Sequence, residues 1–210
     1  MQIETGDLLL FHGTGWISKT LEWVGCSKYS HVGILVKNPS FLHEGLEDGW
    51  YVLDSSWGSI PDKEDNTIKF GVQLHTLDEV MSMYDPDSIF VRKIVATRDE
   101  EWYKKFKEVH DMVFNKPYDT HIVDWIMASL QLRYPIPISP LWKNTTRFWC
   151  SSLVSFIYLQ LGWISDVNWT LIAPREYSST ESTGQVLFTC IINDECQLNQ
   201  FLIKMFTSHD

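Results

Sequence analysis

The sequence predicts an α+β domain, with strands gathered in its first half and helices in its second. Three observations carry this. Short apolar or β-branched runs bounded by turn residues fill the chain from residue 8 to residue 95. From Asp99 the apolar spacing lengthens to the helical period. A last apolar run, residues 151–161, stops at Gly162, a residue suited to the position after a helix. Strands and helices that separate along the chain, rather than alternate, point to an antiparallel sheet packed against helices.

The elements follow in order. Gly6-Asp7 is a turn that leads into Leu8-Leu9-Leu10-Phe11, a short strand with both faces apolar. Residues 16–24 carry apolar side chains at 16, 17, 21 and 24 and read as a short helix. A strand over 31–36 ends at the breaker Lys37-Asn38-Pro39-Ser40. A second strand, 50–54, follows a polar loop, and residues 59–66 form another loop. Further strands are expected over 69–74 and 89–95. Residues 99–114 place Trp102, Phe106, Val109 and Val113 on one face of a helix, with Asp99 as its N-cap. Residues 122–132 read as another helix. Residues 134–142 hold three prolines and so form an irregular connector into the helix that follows. Two weaker strands are expected near 185–192. With no internal repeat, low-complexity tract or linker, residues 1–210 read as one domain.

Composition excludes several classes of function. A net charge of −10 lacks the basic surface that nucleic acid or anionic lipid would require. No apolar run approaches the ~18 residues of a membrane span. The start of the chain has no basic segment followed by an apolar one, so an intracellular location is expected. The cysteines are Cys26, Cys150, Cys190 and Cys196; Cys190 and Cys196 are close enough in sequence to pair, but their low density fits a reducing compartment. No histidine lies in a zinc-binding spacing, and neither a phosphate loop nor a G-x-S-x-G serine is present, so neither metal nor organic cofactor is expected.

The chemistry concentrates in two places. Cys150 opens the helical run Cys150-Ser151-Ser152-Leu153-Val154, where the helix dipole favours a thiolate. His31 begins the strand His31-Val32-Gly33-Ile34-Leu35-Val36 and can act as its base. If the strands over 31–36 and 50–54 pair as a hairpin with His31 opposite Asp54, Gly33 faces Val52, Leu35 faces Trp50, and all six lie on one face. Asp54 would then orient the imidazole and stabilise its cation. Glu44, near the loop apex, is the competing acid.

These segments resemble a family. Gly6-Asp7-Leu8-Leu9-Leu10-Phe11, Tyr29-Ser30-His31-Val32-Gly33-Ile34, Tyr51-Val52-Leu53-Asp54, Lys116-Pro117-Tyr118-Asp119, Phe148-Trp149-Cys150-Ser151-Ser152-Leu153-Val154 and Ala173-Pro174 occur in the order found in circularly permuted NlpC-type papain-like enzymes. That group includes the bacterial YiiX-like proteins and poxviral relatives. The resemblance spans about residues 5–175 and leaves 176–210 as an extension without family counterpart. It implies a circularly permuted papain-like fold, an antiparallel sheet or barrel against helices, with Cys150 at a helix N-terminus. It implies Cys150 as nucleophile, His31 as base and Asp54 as third residue, one methylene shorter than the family's usual Glu.

The expected function is a cysteine-dependent hydrolase of amidase or peptidase type, working through a thioester. A lipid acyltransferase or esterase of the same fold is the alternative, with an acyl lipid as substrate. A third is a catalytically idle module that binds lipid or protein. Ten tryptophans and the apolar connector over 134–142 would suit an acyl-chain groove, although core packing accounts for them equally well.

Overall fold

A computed structural model describes residues 2–13, 27–119, 146–165 and 168–199. The expected helices over 16–24 and 122–132, the connector over 134–142 and Cys26 lie outside these residues. The described chain forms an α+β structure of strands β1 (Leu8–Phe11), β2 (His31–Lys37), β3 (Trp50–Trp57), β4 (Phe70–Thr76), β5 (Ile89–Arg92), β6 (Ile94–Val95), β7 (Ile191–Ile192) and β8 (Cys196–Gln197). Helix α1 (Leu77–Met83) lies between β4 and β5, and α2 (Glu100–Val113) and α3 (Cys150–Gln160) follow β6. The main sheet has the order β4-β3-β2-β1-β5-β8, with neighbours antiparallel, while β6 and β7 form a separate pair.

Strand β1 is apolar throughout because both faces of the sheet are covered. Leu8 and Leu10 join a core with Val32, Ile34 and Leu53, packed by Trp102, Phe106 and Val109 of α2 and Leu153, Val154 and Ile157 of α3. Leu9 and Phe11 point the other way, towards Leu35, Val52 and Leu77 and Val80 of α1. All four β1 side chains are fully buried. Each contributes about 1.5–3 kcal/mol by leaving water.

Local signals set the ends of the helices. The Asp99 carboxylate accepts from the Trp102 N–H at 2.9 Å, capping α2 as its sequence predicts. Gly162 takes φ 74°, and the Trp163 N–H reaches back to the Tyr158 carbonyl at 2.8 Å to close α3. Helix α1 was not expected, yet Thr76-Leu77-Asp78-Glu79 carries its start signal. The Thr76 hydroxyl accepts from the Glu79 N–H at 3.3 Å, and the Glu79 carboxylate accepts from the Thr76 N–H at 3.1 Å.

The β2–β3 register differs from the expected one by two residues. Leu35 pairs with Val52 and Lys37 with Trp50, so β2 runs one residue further than its apolar run. Asn38 and Gly49 close the ladder: the Asn38 N–H donates to the Gly49 carbonyl at 2.8 Å, and the Gly49 N–H to the Asn38 side chain at 3.0 Å. Asn38 adopts the left-handed conformation at φ 48° that such a closure requires. A displacement of two leaves every side chain on its expected face, whereas a displacement of one would have inverted the strand.

The described part of the C-terminal segment is held to this sheet. Strand β8 pairs with β5, and Arg92 of β5 donates to the carbonyls of Tyr177 (2.6 Å) and Asn193 (2.8 Å). The Glu195 carboxylate collects hydroxyls from Tyr29 (3.2 Å), Ser178 (2.7 Å) and Thr180 (3.1 Å), together with the Ser179 N–H. Tyr29 lies two residues before His31, so this cluster supports the entry to β2.

Candidate active site

His31, the first residue of β2, shares a sheet face with Asp54 of β3, and its Nε2 lies 2.6 Å from Asp54 Oδ2. Extending the observed register by one step sets Gly33, not His31, across from Asp54. The histidine–aspartate contact is therefore diagonal, a reach open to these side chains. Gly33 lets β2 and β3 approach closely here: a Cβ there would lie 2.8 Å from Val52 Cγ1 and 3.4 Å from Asp54 Cβ. Glu44 is exposed in the loop before β3 and does not take this role.

Cys150 is the first residue of α3, preceded by Trp149 in an extended conformation, and is 6% exposed. The segment leading to it is fixed on both sides. The Phe148 carbonyl accepts from the Ser55 hydroxyl at 2.6 Å and from the Asp119 N–H at 3.2 Å. The Phe148 N–H donates to the Pro117 carbonyl at 3.1 Å. Pro117 and Tyr118 are themselves laid along β4, where the Val72 N–H bonds the Lys116 carbonyl and the Tyr118 N–H the Phe70 carbonyl. Gly71 permits this approach. Its φ is 153°, and a Cβ there would stand 2.3 Å from the Lys116 carbonyl oxygen. On α3 itself the Trp149 N–H donates to Ser152 Oγ, and the Ser151 hydroxyl donates to the Ile172 carbonyl.

His31 and Cys150 are electrostatically joined. Burial works against a charged His31, but the charges of Cys150 and Tyr84 and hydrogen bonds with Asp54 and Cys150 outweigh it. The imidazole therefore keeps its proton well above the usual histidine range. With Nε2 on Asp54, Nδ1 is the ring nitrogen left for another partner.

Three phenols feel the Cys150 charge. Burial is the first cause in each case, and Cys150 adds to it, raising Tyr118, Tyr84 and Tyr177 above the ordinary tyrosine range. Tyr84 also faces His31, whose charge acts in the opposite direction. The Phe11 ring lies 5.3 Å from the His31 ring and 4.7 Å from that of Tyr84. Tyr177 shares a 2.5 Å hydrogen bond with Ser155, one turn into α3 from Ser151. Sequence reading passed over Ser55, Tyr84 and Tyr177. Two adjacent serines following Asp54 in a mostly apolar strand were the available signal for Ser55; Tyr84 and Tyr177 reach the site only through tertiary contacts.

Among the described residues no group of three or more histidine, cysteine, aspartate or glutamate side chains is arranged to hold a metal ion. Cys190 and Cys196 are both free thiols. Among the described residues no helix is long and apolar enough to cross a membrane.

No protein-family model matches the chain, and no curated protein matches its sequence. Among solved structures it is similar to the metalloprotein yiiX from Escherichia coli O157:H7, with a TM-score of 0.49 and 17% identity. That likeness covers 90% of this chain and 89% of the other.

Proposed function

We propose that the protein is a cysteine-dependent hydrolase of amidase or peptidase type, built on a circularly permuted papain-like core, with Cys150 as nucleophile, His31 as base and Asp54 as the residue that orients it. The observation that carries this reading is the 2.6 Å contact of Asp54 with His31, whose imidazole is in turn coupled by charge to a cysteine at a helix start. A lone buried cysteine is inert packing; one electrostatically joined to a carboxylate-bound imidazole is equipped for nucleophilic attack.

In this mechanism the Cys150 proton resides on His31, and the sulfur attacks an amide carbonyl carbon. The tetrahedral oxyanion is held in part by the Cys150 backbone N–H, one of the first-turn donors that a helix leaves unpaired. His31 then delivers its proton to the leaving nitrogen as the C–N bond breaks, which leaves a thioester. Water, deprotonated by His31, attacks the thioester, and the C–S bond breaks to release the carboxylic acid and restore the Cys150 thiolate beside protonated His31. Every step runs on this chain's own side chains and water, without a metal or organic cofactor.

The test uses limiting iodoacetamide near neutral pH, followed by mass mapping. Cys150 is expected to be alkylated ahead of Cys26, Cys190 and Cys196, despite being buried. Intact mass after incubation with peptidyl and acyl electrophiles then identifies the group that Cys150 accepts. Acylation by peptidyl amides supports the amidase reading, and preference for long-chain esters moves the assignment to the acyltransferase or esterase. A folded protein in which Cys150 stays silent while Cys190 and Cys196 react is an idle module.

A further inference from the structure

Resting on the reading above, we propose that Gln73 and Ser56 are positioning residues which lock the Asp54 carboxylate in the orientation that serves His31. Asp54 uses one oxygen, Oδ2, on His31 Nε2. Its other oxygen, Oδ1, accepts from the Ser56 hydroxyl at 3.1 Å. The Ser56 oxygen in turn accepts from the Gln73 amide nitrogen at 2.6 Å. Gln73 stands directly across from Asp54 in the β3–β4 ladder. The line of hydrogen bonds therefore runs from Gln73 through Ser56 and Asp54 to His31, which is coupled by charge to Cys150.

The direction of each bond follows from its chemistry. A carboxylate only accepts, so Ser56 must spend its single proton on Asp54. Ser56 can then only accept from Gln73, which sets the amide nitrogen, not its oxygen, towards the serine. With its proton committed and its lone pair occupied, Ser56 cannot swing away. The carboxylate, held at Oδ1, cannot rotate Oδ2 off the imidazole.

Gln73 does not have the profile of a stabilising side chain. It is fully buried, and its amide oxygen has no hydrogen-bond partner among the described residues. A buried polar group left half satisfied costs free energy, and an apolar side chain of similar size would be cheaper there. Stability and reactivity are thus expected to part company at this position.

The experiment follows alkylation of Cys150 by iodoacetate across pH in the intact protein, alongside thermal melting. Iodoacetate is an anion drawn to protonated His31, so its rate falls on the alkaline side as His31 loses its proton. Loosening Asp54 weakens its hold on the imidazolium, so that fall moves to lower pH. Ser56→Ala and Gln73→Leu are each expected to slow alkylation on that side by about fivefold, the weight of one ordinary hydrogen bond. Ser56→Thr keeps the hydroxyl and restores the rate. The Ser56→Ala/Gln73→Leu double variant is no slower than the slower single, since Gln73 acts only through Ser56. Gln73→Leu melts no lower than wild type. Wild-type rates and an unmoved alkaline fall in both singles would overturn the proposal, as would multiplying losses in the double variant or failure of Ser56→Thr to restore. If His31→Ala leaves the wild-type profile unchanged, the thiol-hydrolase reading itself falls and this inference with it.

Discussion

Glu195→Gln isolates the contact that fastens the C-terminal segment to the approach of the histidine strand. The wild-type carboxylate takes four hydrogen bonds from Tyr29, Ser178, Ser179 and Thr180, and its side chain is 5% exposed. Burial pushes its pKa up, but those donors win and hold it at about 2, against an ordinary value of 4.5. The difference corresponds to about 3 kcal/mol of folding free energy at neutral pH. An amide of the same shape offers one acceptor oxygen and turns an NH2 group on the remaining donors, so the expected loss is about 2–3 kcal/mol. For a chain of 210 residues that lowers the melting temperature by roughly 5–10 °C. The sign of the pH dependence is fixed by a folded pKa that lies below the unfolded one. The stabilisation is complete above about 4.5 and is lost as pH falls towards 2, with more than half gone by about pH 3. Melting curves followed by circular dichroism at pH 7 and pH 3 measure both effects. A difference between wild type and variant below about 1 °C at pH 7, or one undiminished at pH 3, would refute the reasoning.

Asp54→Asn removes a charge-assisted bond of the kind worth about 1.5–3 kcal/mol, so the alkaline fall in Cys150 alkylation by iodoacetate is expected roughly 1–2 pH units lower. An unmoved profile would show that His31 does not depend on Asp54. Gly71→Ala brings a Cβ within 2.3 Å of the Lys116 carbonyl oxygen at a φ of 153°, and is expected to cost at least about 2 kcal/mol in a urea titration. Because the displaced segment also holds Phe148, the same variant should slow Cys150 alkylation even where it remains folded; a wild-type urea midpoint would argue that the two segments are not held so close.

What could be read from the chain was whatever a few neighbouring residues decide. Asp99 as a cap and Gly162 as a terminator needed only their own helix. The apolar run of β1 announced a strand covered on both sides. That His31 and Asp54 share a face was expected on an assumed register, and it survived a two-residue displacement because the displacement was even. The register itself rests on how Asn38 and Gly49 close a long loop, which no spacing rule fixes. Helix α1 was legible in Thr76-Leu77-Asp78-Glu79 and was overlooked, its apolar face being only Leu77 and Val80. Tyr84 and Tyr177 were out of reach, since each gains its meaning from a partner brought near by folding.

Asp54 and Ser55 are neighbours on β3, and they point to opposite faces. One holds the imidazole of residue 31, and the other holds the carbonyl two residues before Cys150. In synthesis order, the histidine and aspartate strands can pair while the cysteine is still unmade. Cys150 comes near His31 only when the later segment docks across 93 residues of separation onto Ser55. On the function proposed above, the growing chain would carry no activated sulfur until the segment holding Phe148 has docked on β3.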